Sequence, residues 1–186
     1  EYKNPFHPST YAHFVARKDY RKTYDVYKDD PLLNRQPKKS RKIFVCLDEQ
    51  RGQYLVDGLV AMDFPLSSGV KAYPTKTGDY AVISKKEDHA SNLYGKMYDA
   101  EGKCINYNAE STDPIPEGGR FDGSPMPYWQ RLTNAGLGLH VGKVRRHPVS
   151  HGCVRLPRNV AEILYRQTSI GTPVTIQKTP LPVPEA

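Results

Sequence analysis

The chain has 186 residues, 38% hydrophobic and 25% charged, with a formal net charge of +7. That length suits one domain with a full core, and no apolar run approaches the roughly 20 residues that cross a bilayer. The positive balance points to an acidic or polyanionic partner, but no helix-turn-helix, zinc-ligand or RNA-binding signature accompanies it, which argues against nucleic acid. Residue 1 is Glu rather than Met, so the chain is expected to be a processed or trimmed form.

Residues 1–40 carry Tyr2, Tyr11, Tyr20, Tyr24 and Tyr27, many charges, and Pro5, Pro8, Pro31 and Pro37. They read as an N-terminal arm, with a helix over 9–28 opened by Ser9 or Thr10 as a cap. From Arg41 the pattern turns β-like. Ile43 to Leu47 is an apolar strand. Gln53 to Val56 and Leu59 to Phe64 flank Asp57-Gly58, a strong hairpin signal. Tyr80 to Ser84 alternates again. Asp99 to Pro127 is rich in turn residues and reads as a long loop of the kind that carries function. Gly136 to Val141 resumes a strand. Val160, Ile163 and Leu164 suit a short amphipathic helix over 159–168, and Pro173 to Gln177 closes with a strand. The expectation is a mainly β (α+β) catalytic domain over 41–178, with one or two short helices and a loose tail over 179–186.

Three cysteines are present: Cys46, Cys104 and Cys153. Cys46 lies in an apolar run and reads as a core residue. Cys104 lies in a polar segment, and the sequence leaves a Cys46–Cys104 disulfide open. No pair has metal-ligand spacing, so a zinc site is not expected. Cys153 is different. It follows Ser150-His151-Gly152, thirteen residues after His140. A thiol becomes a nucleophile when a base takes its proton or a cation stabilises the thiolate. In an extended segment His151 points to the same side as Cys153, while a strand return could place His140 opposite; spacing leaves both open, with His147 a weaker candidate. Gly152 lets the backbone approach a substrate carbonyl, so adjacent N–H groups could face an oxyanion. Arg145, Arg146, Arg155 and Arg158 could lower the thiol pKa or hold a carboxylate.

Gly138-Leu139-His140-Val141-Gly142, followed by Pro148-Val149-Ser150-His151-Gly152-Cys153-Val154-Arg155-Leu156-Pro157, closely resembles the active-site signature of the L,D-transpeptidases, the YkuD-type domain. Pro74 to Tyr80, Ser84 to Gly95, and Met126-Pro127-Tyr128-Trp129 are also similar to family sequence, so the resemblance spans about residues 41–178. It implies a β-sandwich-like domain whose cysteine attacks the third residue of a peptidoglycan tetrapeptide stem. D-alanine leaves, and the thioester passes to an amine of another stem as a 3→3 cross-link. By the same resemblance Cys153 is the nucleophile, His140 the general base oriented by a carbonyl near Val141, and His151 a support. Gly152 and Cys153 N–H groups contribute to the oxyanion hole. Tyr128, Trp129, Ser150 and Arg155 belong to the substrate groove. The implied partners are stem peptides, a wall-anchored lipoprotein as one acceptor, and carbapenems as inhibitors. The implied place of action is the periplasm or cell wall. A carboxypeptidase, or an enzyme attaching or releasing a wall-linked lipoprotein, would use the same site. Two departures stand out: Arg155 replaces the commoner Asn, and the His140-to-Cys153 spacing is shorter than in Gram-positive forms.

Overall fold

The computed structural model describes residues 1–180. The arm contains helix α1 (Tyr11–Val15), strand β1 (Tyr27–Lys28) and helix α2 (Asp30–Asn34). Thr10 caps α1 by accepting from the His13 N–H, and Asp29 caps α2 through the Leu32 N–H. The expected helix over 9–28 is corrected here: α1 stops at Val15. The reason is tertiary. Tyr11 and Tyr20 both donate to Asp63 Oδ2, at 2.7 and 2.8 Å. On one helix their rings would sit about 13 Å apart on opposite faces, because nine residues are roughly two and a half turns. The chain instead folds back, with Arg17 clamped to Asp19 and Asp25.

Strands β2 (Arg41–Cys46), β3 (Arg51–Val56) and β4 (Leu59–Pro65) form an antiparallel meander. Asp57 and Gly58, at φ 51° and 78°, make the two-residue hairpin expected between β3 and β4. The expected strand over 80–84 divides between two sheets: β5 (Gly78–Ala81) and β6 (Ser84–Lys86), with buried Val82 at the crossing. The remaining elements are β7 (Ala90–Tyr98), β8 (Cys104–Glu110), β9 (Arg120–Pro125), β10 (Trp129–Arg131), β11 (Gly138–Val141), β12 (Val154–Leu156), α3 (Arg158–Gln167) and β13 (Pro173–Gln177). The long loop expected over 99–127 is corrected as well, since it holds β8 and β9. Those strands are polar and mostly exposed, so they show no apolar alternation to read.

Among the described residues three sheets result, with orders β1-β4-β3-β2-β13-β5, β12-β11-β10-β6 and β8-β7-β9. The protein is, among the described residues, mainly β with three short helices, in keeping with the expected class. Ile43, Tyr54, Phe64 and Ile176 of the first sheet meet Leu139, Val154 and Leu156 of the second and Leu164 of α3 in one apolar core. Lys85 of β6 donates to the Tyr165 and Thr168 carbonyls at the end of α3, where a cation complements the helix dipole. All three cysteines are free; Cys46 is buried and donates to the Lys178 carbonyl at 3.2 Å. The tail expected over 179–186 lies almost wholly outside the described residues.

Candidate active site

Strands β11 and β12 run parallel, pairing Leu139 with Val154, His140 with Arg155 and Val141 with Leu156. Leu139 and Val154 point into the core. Alternation therefore turns His140, Cys153 and Arg155 to the other face, where all three line one cleft of about 760 Å³. Gly138 shares that face. A Cβ there would lie 2.4 Å from the Trp129 ring, so its bareness is what seats the indole beneath the cleft.

His140 is buried, at 6% exposed. Its Nδ1 lies 2.7 Å from the Val141 carbonyl. That acceptor places the proton on Nδ1 and leaves the Nε2 lone pair free to take a proton. Burial pushes the imidazole pKa down to about 4, against the raising effect of the Val141 carbonyl, so His140 is neutral at pH 7. Trp129 stands 6.0 Å away, ring to ring, and stacks on His89 at 5.0 Å.

Burial also pushes the Cys153 thiol up, opposed by a hydrogen bond from the Gly138 N–H and by Arg131 and Arg155. Its S–H donates to the Gly136 carbonyl at 3.2 Å. The resting pair is thus neutral thiol and neutral imidazole rather than a preformed ion pair. A thiol in this state becomes a nucleophile only when a base takes its proton.

The loop before the sulfur is pinned through its backbone. Gly152 sits at φ 118°, a conformation that favours glycine. The Thr75 hydroxyl accepts from the Gly69 N–H at 2.8 Å and donates to the Gly152 carbonyl at 2.6 Å. Ser150 Oγ accepts from the Gly152 N–H at 3.1 Å and donates to the Cys153 carbonyl. The Gly152 N–H is therefore engaged in the resting site, whereas the Cys153 N–H donates to no acceptor among the described residues.

His151 is exposed, and its ring stacks on Tyr94 at 4.3 Å and meets Tyr73 at 4.9 Å. The same-side argument for His151 assumed an extended segment, and the left-handed Gly152 interrupts it. Trp129, Ser150 and Arg155 line the cleft. The Tyr128 ring instead turns to α3 and packs edge-on against Tyr165 at 5.5 Å; Tyr128 precedes β10 in a left-handed conformation, at φ 54°, which turns it away from the strand face. Sequence reasoning did not single out His89 or Arg131, which line the cleft. Their spacing relative to His140 and Cys153 carries no local signal. No residue of the arm lines the cleft among the described residues.

The fold and cleft together define a mainly β domain with a cysteine and a histidine presented by adjacent parallel strands. Residues 40–176 match the family model of the YkuD L,D-transpeptidase catalytic domain, and the chain belongs to that family. A probable L,D-transpeptidase 3 of Mycobacterium tuberculosis is 31% identical over 121 residues, covering 61% of this chain and 38% of that protein. This chain thus spans well under half the length of that relative. An Enterococcus faecium L,D-transpeptidase, solved as a Cys-to-Ser mutant, is 27% identical with a TM-score of 0.54, covering 75% of this chain and 50% of that one. An L,D-transpeptidase solved in complex with imipenem shares the fold at 18% identity and a TM-score of 0.57, covering 74% and 59% of the two chains.

Proposed function

We propose that this protein is a peptidoglycan L,D-transpeptidase that forms 3→3 cross-links outside the cytoplasmic membrane, with Cys153 as nucleophile and His140 as general base. The observation that carries the reading is the common face of β11 and β12, which turns both side chains into one cleft. The Cys153 sulfur attacks the carbonyl of the third residue of a tetrapeptide stem while its proton passes to His140 Nε2. The tetrahedral oxyanion collapses, the bond to D-alanine breaks, and His140 returns the proton to the leaving amine. The thioester then meets the side-chain amine of a second stem. His140 takes a proton from that amine, the new amide forms, and the thiol is released.

The Cys153 N–H is the donor best placed for the oxyanion, and the Gly152 N–H joins it if Ser150 Oγ yields. Burial of His140 keeps it in the base form. Residues 41–178 constitute the catalytic unit in this reading, and residues 1–40 brace it. Carbapenems acylate Cys153 because they present a strained acyl group to the same thiol; the imipenem complex of the structural relative supports this.

The test is incubation with a disaccharide-tetrapeptide, with Cys153→Ala as control, followed by mass spectrometry. A dimer lacking one D-alanine, absent with the variant, is the expected product. Tripeptide alone would replace the reading with an L,D-carboxypeptidase. A wall-lipoprotein acceptor would be revealed by a lysine-linked adduct instead of the dimer.

A further inference from the structure

The cleft is lined by four side chains of fixed positive charge: Lys76, Arg131, Lys143 and Arg155. No Asp or Glu side chain lines it among the described residues. Nor does any of the four enter an ion pair with a described residue. Of the carboxylates outside it, Asp79 accepts from Thr175 and Asp122 pairs with Arg120, while Glu110 sits on β8 across from Tyr94 and Glu87 and Asp88 are exposed beside His89.

The four cations are arranged in two tiers. Lys76 and Lys143 are exposed at the rim, and Arg131 and Arg155 are half-buried deeper in. Arg131 lies over the Trp129 ring at 5.4 Å. Arg155 stands opposite His140 in the strand register, and its stem fills the space left by Gly142, where a Cβ would come within 2.7 Å of the Arg155 side chain. Gly142 and Arg155 are thus fitted to each other. Arg131 donates to the Thr133 carbonyl at 3.4 Å, whereas the Arg155 guanidinium has no hydrogen-bond partner among the described residues; it has lost water without gaining an anion, and a bidentate carboxylate is the group its geometry matches.

We propose that this cleft selects a donor stem whose branch carboxyls are free acids rather than amides, with Arg155 and Arg131 as the specificity-determining residues. The inference rests on the transpeptidase reading above and adds the charge state of its substrate. Amidation replaces an acceptor-only carboxylate with a neutral group that brings its own N–H donors to the guanidinium. One such contact is lost and one repulsive donor pair is gained. The two exposed lysines raise the local concentration of an anionic stem and act mainly on encounter.

Two synthetic tetrapeptide stems, identical except for a free or amidated branch carboxyl, test this by their rates of D-alanine release. The free acid is expected to show a kcat/KM at least about tenfold higher, through KM, since a lost charge-assisted bond of this kind is about 1.4 kcal/mol or more. Arg155→Gln and Arg131→Gln are expected to shrink that ratio toward one, and added salt to narrow it in the wild type. Equal turnover of the two stems, or preference for the amide, would overturn the specificity while leaving the transpeptidase reading intact. Turnover of neither stem, with folding verified by circular dichroism, would overturn both. The wild-type comparison needs no variant, so a substitution that unfolds the chain does not blunt it.

Discussion

The N-terminal arm and the β7–β9 sheet are both appended to the same sandwich, yet they are held by opposite means. The arm buries Phe14, Tyr20, Leu32 and Leu33. It closes over a fully buried ion pair, Arg51 to Asp63 at 2.6 Å. Arg51 also donates to the Thr23 and Asp25 carbonyls at 2.9 Å, and its guanidinium lies over the Phe14 and Tyr20 rings. The β7–β9 sheet instead leaves Leu93, Ile105 and Tyr107 about half exposed or more. Met97 and Ala109 are its buried apolar side chains. Its strands approach so closely that a Cβ on Gly95 would stand 2.0 Å from the Asp122 carbonyl. The sheet that forms one wall of the cleft is therefore held by backbone pairing, with little core of its own. Such elements open locally at less cost than a packed core. The floor, with His140 and Cys153, belongs to the rigid sandwich.

Removing the ion pair breaks the contrast most severely. Asp63→Ala leaves Arg51 buried without its anion and Tyr11 and Tyr20 without their acceptor. A loss of about 3–5 kcal/mol is expected for a broken buried pair, read by urea unfolding; a loss below about 1 kcal/mol would mean that the arm is only loosely seated. The floor has its own signature in pH. His140 has a folded pKa of about 4 against an ordinary 6.5. Between those values the unfolded chain binds a proton that the folded chain refuses. The stabilising contribution is whole above pH 6.5 and is lost as pH falls toward 4, on the order of 3 kcal/mol in all. His140→Gln is expected to flatten this part of the stability profile.

A smaller effect is expected on the cleft wall. Gly95→Ala forces β7 from β9 at a cost of about 1–3 kcal/mol. Amide exchange should quicken over residues 90–125 while β2, β3 and β4 keep their protection; uniform loss of protection would show that the wall and the sandwich unfold as one unit. Least of all, Tyr20→Phe removes one of the two hydroxyls on Asp63 and is expected to cost about 1 kcal/mol, measured as a shift in the urea midpoint with an unchanged slope.

Much of the sandwich was legible because its signals are local. Asp57-Gly58 encodes its own turn, Val160, Ile163 and Leu164 encode one face of α3, and Gly138 to Val141 reads as a strand. The arm was misread because the bend after Val15 answers to Asp63, far away in sequence. Strands β8 and β9 were misread because neither face of a wet sheet has an apolar pattern. At the site, His140 and Cys153 stood out by motif, and Val141 by resemblance. The stacking of His151 on Tyr94, the Thr75 bridge to Gly152 and the inward face of Arg131 depend on contacts between segments distant along the chain. No spacing rule reaches them.

The Thr75 bridge has a consequence for how this molecule can change. The aim of the sulfur is set by main-chain atoms of Gly69, Gly152 and Cys153, joined through the hydroxyls of Thr75 and Ser150. The cleft-lining side chains of β7 enter none of these bonds, whereas the segment from Arg131 to Leu137 does meet the sulfur, through the Gly136 carbonyl and the charge of Arg131. The β7 wall can thus be re-lettered without touching the bonds that aim the sulfur, while Arg131 and Arg155 bear on both the thiol and the charge of the cleft.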